Sequence, residues 1–135
     1  MSLLNSKSRK YLVEEQLKGA LVVKKFGITA IPMGYIVIST SKKPTTVETV
    51  GQVDRIWENE IDKTVSYALM AQYFGMHCIY LEAGSGAEKP VPDGMIKAIR
   101  EQLDIPIIVG GGIRDAKTAR QKAFMLICSN QFFRI

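Results

Sequence analysis

The hydrophobic positions of the chain switch repeatedly between helical spacing and short unbroken runs, and the switching predicts alternating helices and strands. From about 9 to 26 the spacing is helical: Leu12, Gln16, Ala20 and Val23 share one stripe, Leu17 and Leu21 widen it, and Gly27 stands where a C-cap belongs. The next run, Thr29 to Ser39, centres on Tyr35-Ile36-Val37-Ile38, a block that suits a parallel strand buried on both faces, with Pro32 at its entry. Residues 40–61 follow neither period. They hold a polar loop from Thr40 to Thr46, then Val50-Gly51 and an acidic stretch around Trp57. Asp62 reads as the N-cap of a helix whose face carries Val65, Ala68, Leu69, Gln72 and Tyr73 and which ends at Gly75. Cys78 to Leu81 reads as a strand and 84–92 as a Gly/Pro loop. Pro92-Asp93 opens a helix that turns Met95, Ile96, Ile99 and Leu103 inward. Pro106 to Val109 is the next strand, and Asp115 caps a helix from Ala116 to about Lys122.

Helix–strand alternation of this kind builds a parallel sheet, either doubly wound or closed into a barrel. The βα units recur at roughly 30 residues, which favours the α/β class of (β/α)8 TIM-barrel type. The glycines agree: Gly110-Gly111-Gly112 is not G-x-G-x-x-G, and Gly84-Ser85-Gly86 has no third glycine in place. Residues 1–122 form the barrel units, and 123–135 read as a tail that departs from them.

Composition changes this picture little. With 135 residues and 47% hydrophobic content, one domain with a real core is expected. No apolar run reaches membrane-spanning length, and residues 1–10 do not read as a signal peptide. Cys78 and Cys128 lie in apolar runs without CxxC spacing, so they read as reduced core thiols and the setting as cytoplasmic. The net charge of +5 owes much to Lys7, Arg9, Lys10, Lys24, Lys25, Lys42 and Lys43, which are not interleaved with aromatics. Nucleic-acid binding is therefore weakly supported, and the charges read as solvated helix faces and loops with some attraction for anionic substrates.

The candidate chemistry lies in two apolar runs that break into glycine: Tyr80-Leu81-Glu82-Ala83-Gly84-Ser85-Gly86 and Ile107-Ile108-Val109-Gly110-Gly111-Gly112-Ile113-Arg114. Glu82, at a strand end in a barrel mouth, is either a general base or a loop anchor that accepts backbone N–H bonds. Tyr80, two residues earlier, points to the same side and lines the same pocket or fills the interior. Gly110, Gly111 and Gly112 form a phosphate nest completed by the helix after Asp115, or a tight turn; three glycines exceed what a turn needs. Arg114 reaches the anion or pairs with Asp115, and Gly84, Ser85 and Gly86 offer a second donor cluster. His77, the lone histidine, sits at a strand start away from the mouth. Trp57, Tyr67, Tyr73 and Phe74 read as core packing before a groove lining.

Together these segments resemble the geranylgeranylglyceryl phosphate synthase family, related to bacterial heptaprenylglyceryl phosphate synthase. The likeness runs to about Gln121. It includes Ser2-Leu3-Leu4-Asn5-Ser6, Ile31-Pro32-Met33-Gly34-Tyr35-Ile36-Val37, Tyr67 through Met76, Tyr80 through Ala87, and Val109 through Arg114. The Tyr80–Ala87 string is the most specific part. The resemblance implies a (β/α)8 barrel and transfer of a geranylgeranyl group from geranylgeranyl diphosphate to the C3 hydroxyl of sn-glycerol 1-phosphate, in archaeal ether-lipid synthesis. It implies Mg2+ on the diphosphate, with Glu82 and Tyr80 catalytic. Tyr80, Leu81, Glu82, Ala83, Gly84, Ser85, Gly86, Gly110, Gly111 and Gly112 would hold glycerol phosphate. A membrane enters only as the destination of the product.

Family members are much longer, and the family's magnesium aspartate lies in an N-terminal unit with no counterpart in this sequence. No metal ligand is therefore assigned here. The tail lacks the family's last glycine loop. The expectation is about the second half of a barrel, with open edges that favour a homo-oligomer. Three readings follow: a prenyltransferase, a non-catalytic barrel remnant that at most binds phosphate, and a different phosphate-binding barrel such as an amino-acid-biosynthetic isomerase.

Overall fold

The computed structural model describes residues 1–127, with side chains through Ala123. The elements are β1 (Ser2–Leu3), α1 (Glu15–Lys25) entered through a π-helical turn at Lys10–Glu14, β2 (Met33–Val37), α2 (Thr46–Val50), α3 (Ile61–Tyr73), β3 (Cys78–Glu82), α4 (Asp93–Gln102), β4 (Ile107–Gly110) and α5 (Ala116–Ile127). The four strands are all parallel and lie in chain order, β1-β2-β3-β4. A doubly wound sheet reverses its order at a switch point. This sheet does not, so right-handed crossovers stack α3, α4 and α5 on one side, as in a barrel wall.

Strand register divides the side chains between the two faces. Ile36, Ile79, Leu81 and Ile107 face the helices and are buried against Ala68, Ala71, Met95, Ile96 and Ile99. Each such aliphatic side chain contributes about 1.5–3 kcal/mol on full burial. Gly34 lets α3 approach β2, because a Cβ there would lie 2.9 Å from Ala71 Cβ. The opposite face carries Leu3, Tyr35, Val37, Tyr80, Glu82, Ile108 and Gly110, and only Leu3, Val37 and Val53 form a buried cluster there. β2 is therefore apolar along its length but only its helix side is wholly covered; Tyr35 is half-buried.

Both glycine stops hold. At Gly27 the Ile28 N–H reaches Val23 O (3.1 Å) and the Gly27 N–H reaches Lys24 O (3.2 Å). Gly75 and Met76 repeat the pattern on Gln72 O and Ala71 O. Asp115 caps α5, accepting from Thr118 N–H at 2.7 Å and Thr118 hydroxyl at 3.0 Å, which holds its carboxyl below the usual range.

Other expectations are corrected. α1 has no buried residue: Leu12, Gln16 and Val23 of its stripe are only half-buried, and the widening residues Leu17 and Leu21 are 69% and 83% exposed. The N-cap of α3 is Glu60, one residue before Ile61, not Asp62. Tyr67 packs against the core, but Tyr73, Phe74 and Trp57 are exposed. α5 runs beyond Lys122 to Ile127, so the described part of the 123–135 segment is helical. Cys78 is a buried free thiol, while Cys128 lies outside the described residues.

Candidate functional site

The site forms where β2, β3 and β4 end. Pairing puts Tyr35 beside Tyr80 and Ile108, and one step further puts Val37 beside Glu82 and Gly110. The Tyr35 and Tyr80 rings stand 5.1 Å apart, tilted by 56°. Gly110 leaves the space that the Tyr80 hydroxyl fills, since a Cβ there would run into it.

Glu82 is buried, with 7% exposure, and its Oε1 accepts the Gly84 N–H at 2.5 Å. Interaction with this carboxylate, and then burial, pushes the Tyr80 phenol up to about 12. Burial first, then the Glu82 charge, raises Tyr35 as well. Tyr80 thus stays a neutral donor facing an acceptor. Glu82 opens on a cavity of about 350 Å3, shared with Tyr35, Thr46, Val47, Val50 and Ser85. A second cavity of about 290 Å3 adjoins across Tyr35, Val47 and Val50 and is mostly apolar, reaching Leu3 and Tyr11.

The glycine turns fold back on this carboxylate. Gly111 (φ +77°) and Gly112 (φ +67°) lie in the left-handed region. A Cβ at Gly111 would strike Glu82 and Gly84 N, and one at Gly112 would lie 2.5 Å from the Lys89 carbonyl. The turn between β4 and α5 thus packs on the turn after β3. The N–H groups of Ala83, Gly84 and Ala87 are committed to Gly110 O, Glu82 and Gly84 O. Those of Ser85, Gly86, Gly111 and Gly112 make no bond among the described residues. Arg114 donates to Ala87 O at 2.9 Å and not to Asp115. His77 is exposed at the far end of the sheet, its N–H on Pro32 O.

Sequence reasoning missed two contributors. Tyr35 was hidden in an apolar run that gives no face. α2, with Thr45 and Glu48, was announced only by Thr45-Thr46-Val47-Glu48, the S/T-x-x-E pattern of a capping box, which the structure forms.

A buried carboxylate at a strand end, neutral phenols beside it and glycine turns around it, on consecutively ordered parallel strands, define an enzyme-type site on part of a (β/α)8 barrel. The PcrB family matches residues 1–127, and the chain belongs to that family. It is 51% identical over 122 residues to a geranylgeranylglyceryl phosphate synthase of Methanothrix thermoacetophila, covering 90% of this chain and 47% of that protein. To the Pyrococcus horikoshii protein of the same name it is 45% identical over 121 residues, again 90% of this chain and 46% of the relative. Among solved structures it resembles the crystal structure of (S)-3-O-geranylgeranylglyceryl phosphate synthase from Thermoplasma acidophilum in complex with its substrate sn-glycerol-1-phosphate. The TM-score is 0.85 at 42% identity, covering 93% of this chain and 49% of that one. The chain spans about half the length of the curated relatives it matches.

Proposed function

We propose that this chain carries the glycerol-phosphate side of a prenyltransferase that moves a geranylgeranyl group from geranylgeranyl diphosphate to the C3 hydroxyl of sn-glycerol 1-phosphate. The observation that carries the reading is Glu82: a buried carboxylate at the end of β3, opening on a cavity of about 350 Å3 and bordered by Tyr35 and Ser85. Glu82 takes the C3 hydroxyl proton while that oxygen bonds to the allylic carbon. The carbon–oxygen bond to diphosphate breaks, and diphosphate leaves with the electron pair. Tyr80 orients Glu82, and Tyr80 through Gly86 with Gly110, Gly111 and Gly112 form the glycerol-phosphate cradle. The donors for the phosphate are the N–H groups of Ser85, Gly86, Gly111 and Gly112. The neighbouring apolar cavity suits a prenyl chain, whose burial is driven by its hydrocarbon area.

Mg2+ is part of this reading through the family resemblance alone. No three His, Cys, Asp or Glu side chains gather at a metal-binding distance among the described residues, so they do not fit a magnesium site and no step here runs through the ion. No helix among the described residues is long and apolar enough to cross a membrane. We place the reaction in the cytoplasm, its product passing to the membrane in archaeal ether-lipid synthesis, and the chain in a homo-oligomer.

A second reading is favoured by one observation: among the described residues, β1 and β4 each pair on one side only, within a four-stranded sheet. This is a non-catalytic partial barrel that binds phosphate and does not turn over. Transfer of radiolabelled sn-glycerol 1-phosphate onto geranylgeranyl diphosphate with Mg2+, by the chain and by Glu82→Gln, separates the two. The transferase reading expects product from the parent and a loss of at least about 100-fold in the variant. Calorimetric glycerol phosphate binding without turnover in either establishes the second.

A further inference from the structure

The segment joining β2 to α3 holds a buried ion pair that the proposed chemistry does not use. Glu48 is 4% exposed. Its Oε1 accepts from Arg55 Nε at 3.0 Å and from the Ser39 hydroxyl, and its Oε2 accepts from Thr45 N–H at 2.6 Å and the Thr45 hydroxyl at 2.7 Å. These bonds, with the Arg55 charge, hold its carboxyl below the usual range although burial alone would raise it. Arg55 also donates to Ser41 O at 2.6 Å and stacks 4.1 Å over the Trp57 ring centroid.

We propose that Glu48 and Arg55 are positioning residues for Glu82, acting through Thr45 and Gly84; the proposal rests on the reading of Glu82 as the base. The links are contiguous. Glu48 Oε2 fixes Thr45 through both its N–H and its hydroxyl, and the Thr45 side chain lies on Gly84, where an added Cβ would come within 2.6 Å of Thr45 Cγ2. The Gly84 N–H donates to Glu82 Oε1 at 2.5 Å. A simple capping box for α2 accounts for Oε2 alone. It does not require Oε1 to be buried and bonded to a guanidinium and a second hydroxyl. A buried carboxylate with every partner in place has one low-energy arrangement, because each lost partner leaves a costly unpaired charge. α2 is only five residues long and cannot hold itself. The ion pair therefore sets where α2 stands, and Val47 and Val50 of α2 line the Glu82 cavity. Thr45 acts as the strut between this anchor and the catalytic turn.

The test uses the isotope-labelled chain and three variants: Glu48→Gln, Arg55→Lys and Thr45→Ser. Three readouts are taken: the Gly84 amide proton shift and exchange rate, the calorimetric affinity for sn-glycerol 1-phosphate, and the unfolding midpoint. Glu48→Gln is expected to move the Gly84 amide away from its carboxylate-bonded shift, speed its exchange and weaken glycerol phosphate binding about tenfold, the scale of a sub-ångström misplacement. Arg55→Lys keeps the charge but loses the planar fork and falls between. Thr45→Ser keeps both bonds to Glu48 yet removes the methyl on Gly84, and it too moves the Gly84 amide. If Glu48→Gln does not fold, Thr45→Ser decides. A Gly84 amide and a glycerol phosphate affinity equal to the parent's in the folded variants overturn the proposal, whatever the midpoint does. Should the parent itself not bind glycerol 1-phosphate, the functional reading falls, and the Gly84 amide alone decides whether the strut exists.

Discussion

Tyr80, Glu82 and the glycines facing them show how a few side chains define this site. The phenol of Tyr80 is raised from its ordinary 10.0 to about 12 by the Glu82 carboxylate and by burial. A folded-state value above the unfolded one means the native chain keeps the proton longer. The stabilisation is present in full below pH about 10 and is lost as pH rises from there toward 12. Tyr35, raised in the same direction, adds to the loss. Urea midpoints measured in steps from pH 9 to pH 12, about the window just stated, are expected to fall for the parent and to fall less steeply for Tyr80→Phe. At Gly111, φ +77° and the 2.5 Å approach of a Cβ to Gly84 N leave no room for alanine. Gly111→Ala is expected to cost about 1–3 kcal/mol in denaturant unfolding and to shift Glu82 as well, since the two share that space.

The elements differ in how much of their apolar surface the sheet covers. Ile99 of α4 is fully buried against the strands, whereas Leu21 of α1 is 83% exposed. Ile99→Ala is therefore expected to lower stability by about 2–5 kcal/mol, and Leu21→Ala to stay within about 0.5 kcal/mol, both read by thermal or urea unfolding. The helical stripes of the two segments look alike because periodicity reports which residues share a face, not whether anything lies against it. α2 escapes periodicity for another reason: five residues make little more than one turn, and its position comes from Glu48 and Arg55, eleven and eighteen residues past Val37 at the end of β2.

At the scale of the described chain, α3, α4 and α5 cover one face of the sheet, while Tyr35, Tyr80 and the 46%-exposed Ile108 lie on the other, which α2 covers only in part. Among the described residues, the sheet edges lack a ladder partner and this face is only partly covered, a combination that favours association. Sedimentation velocity is expected to show concentration-dependent oligomers of this chain, and Ile108→Lys to reduce them by placing a charge on the face and strand that a neighbour would cover. A monomer at every concentration would remove the oligomer from the proposed function.

Element type, chain order and the strand-end position of Glu82 were legible in the sequence, because they rest on local quantities: apolar period, the glycine stops at Gly27 and Gly75, and the Asp115 cap. The same holds for the two glycine runs, whose departure from nucleotide fingerprints already pointed to a barrel. Tyr35 joined the site only through register, since an apolar run does not reveal which residues face the helices and which face the mouth. The Glu48–Arg55 pair and the seat of Thr45 on Gly84 appear only once the chain has folded back, and so does the exposure of α1, Tyr73 and Phe74. Contacts between distant segments depend on where the backbone passes, and linear spacing carries no term for that.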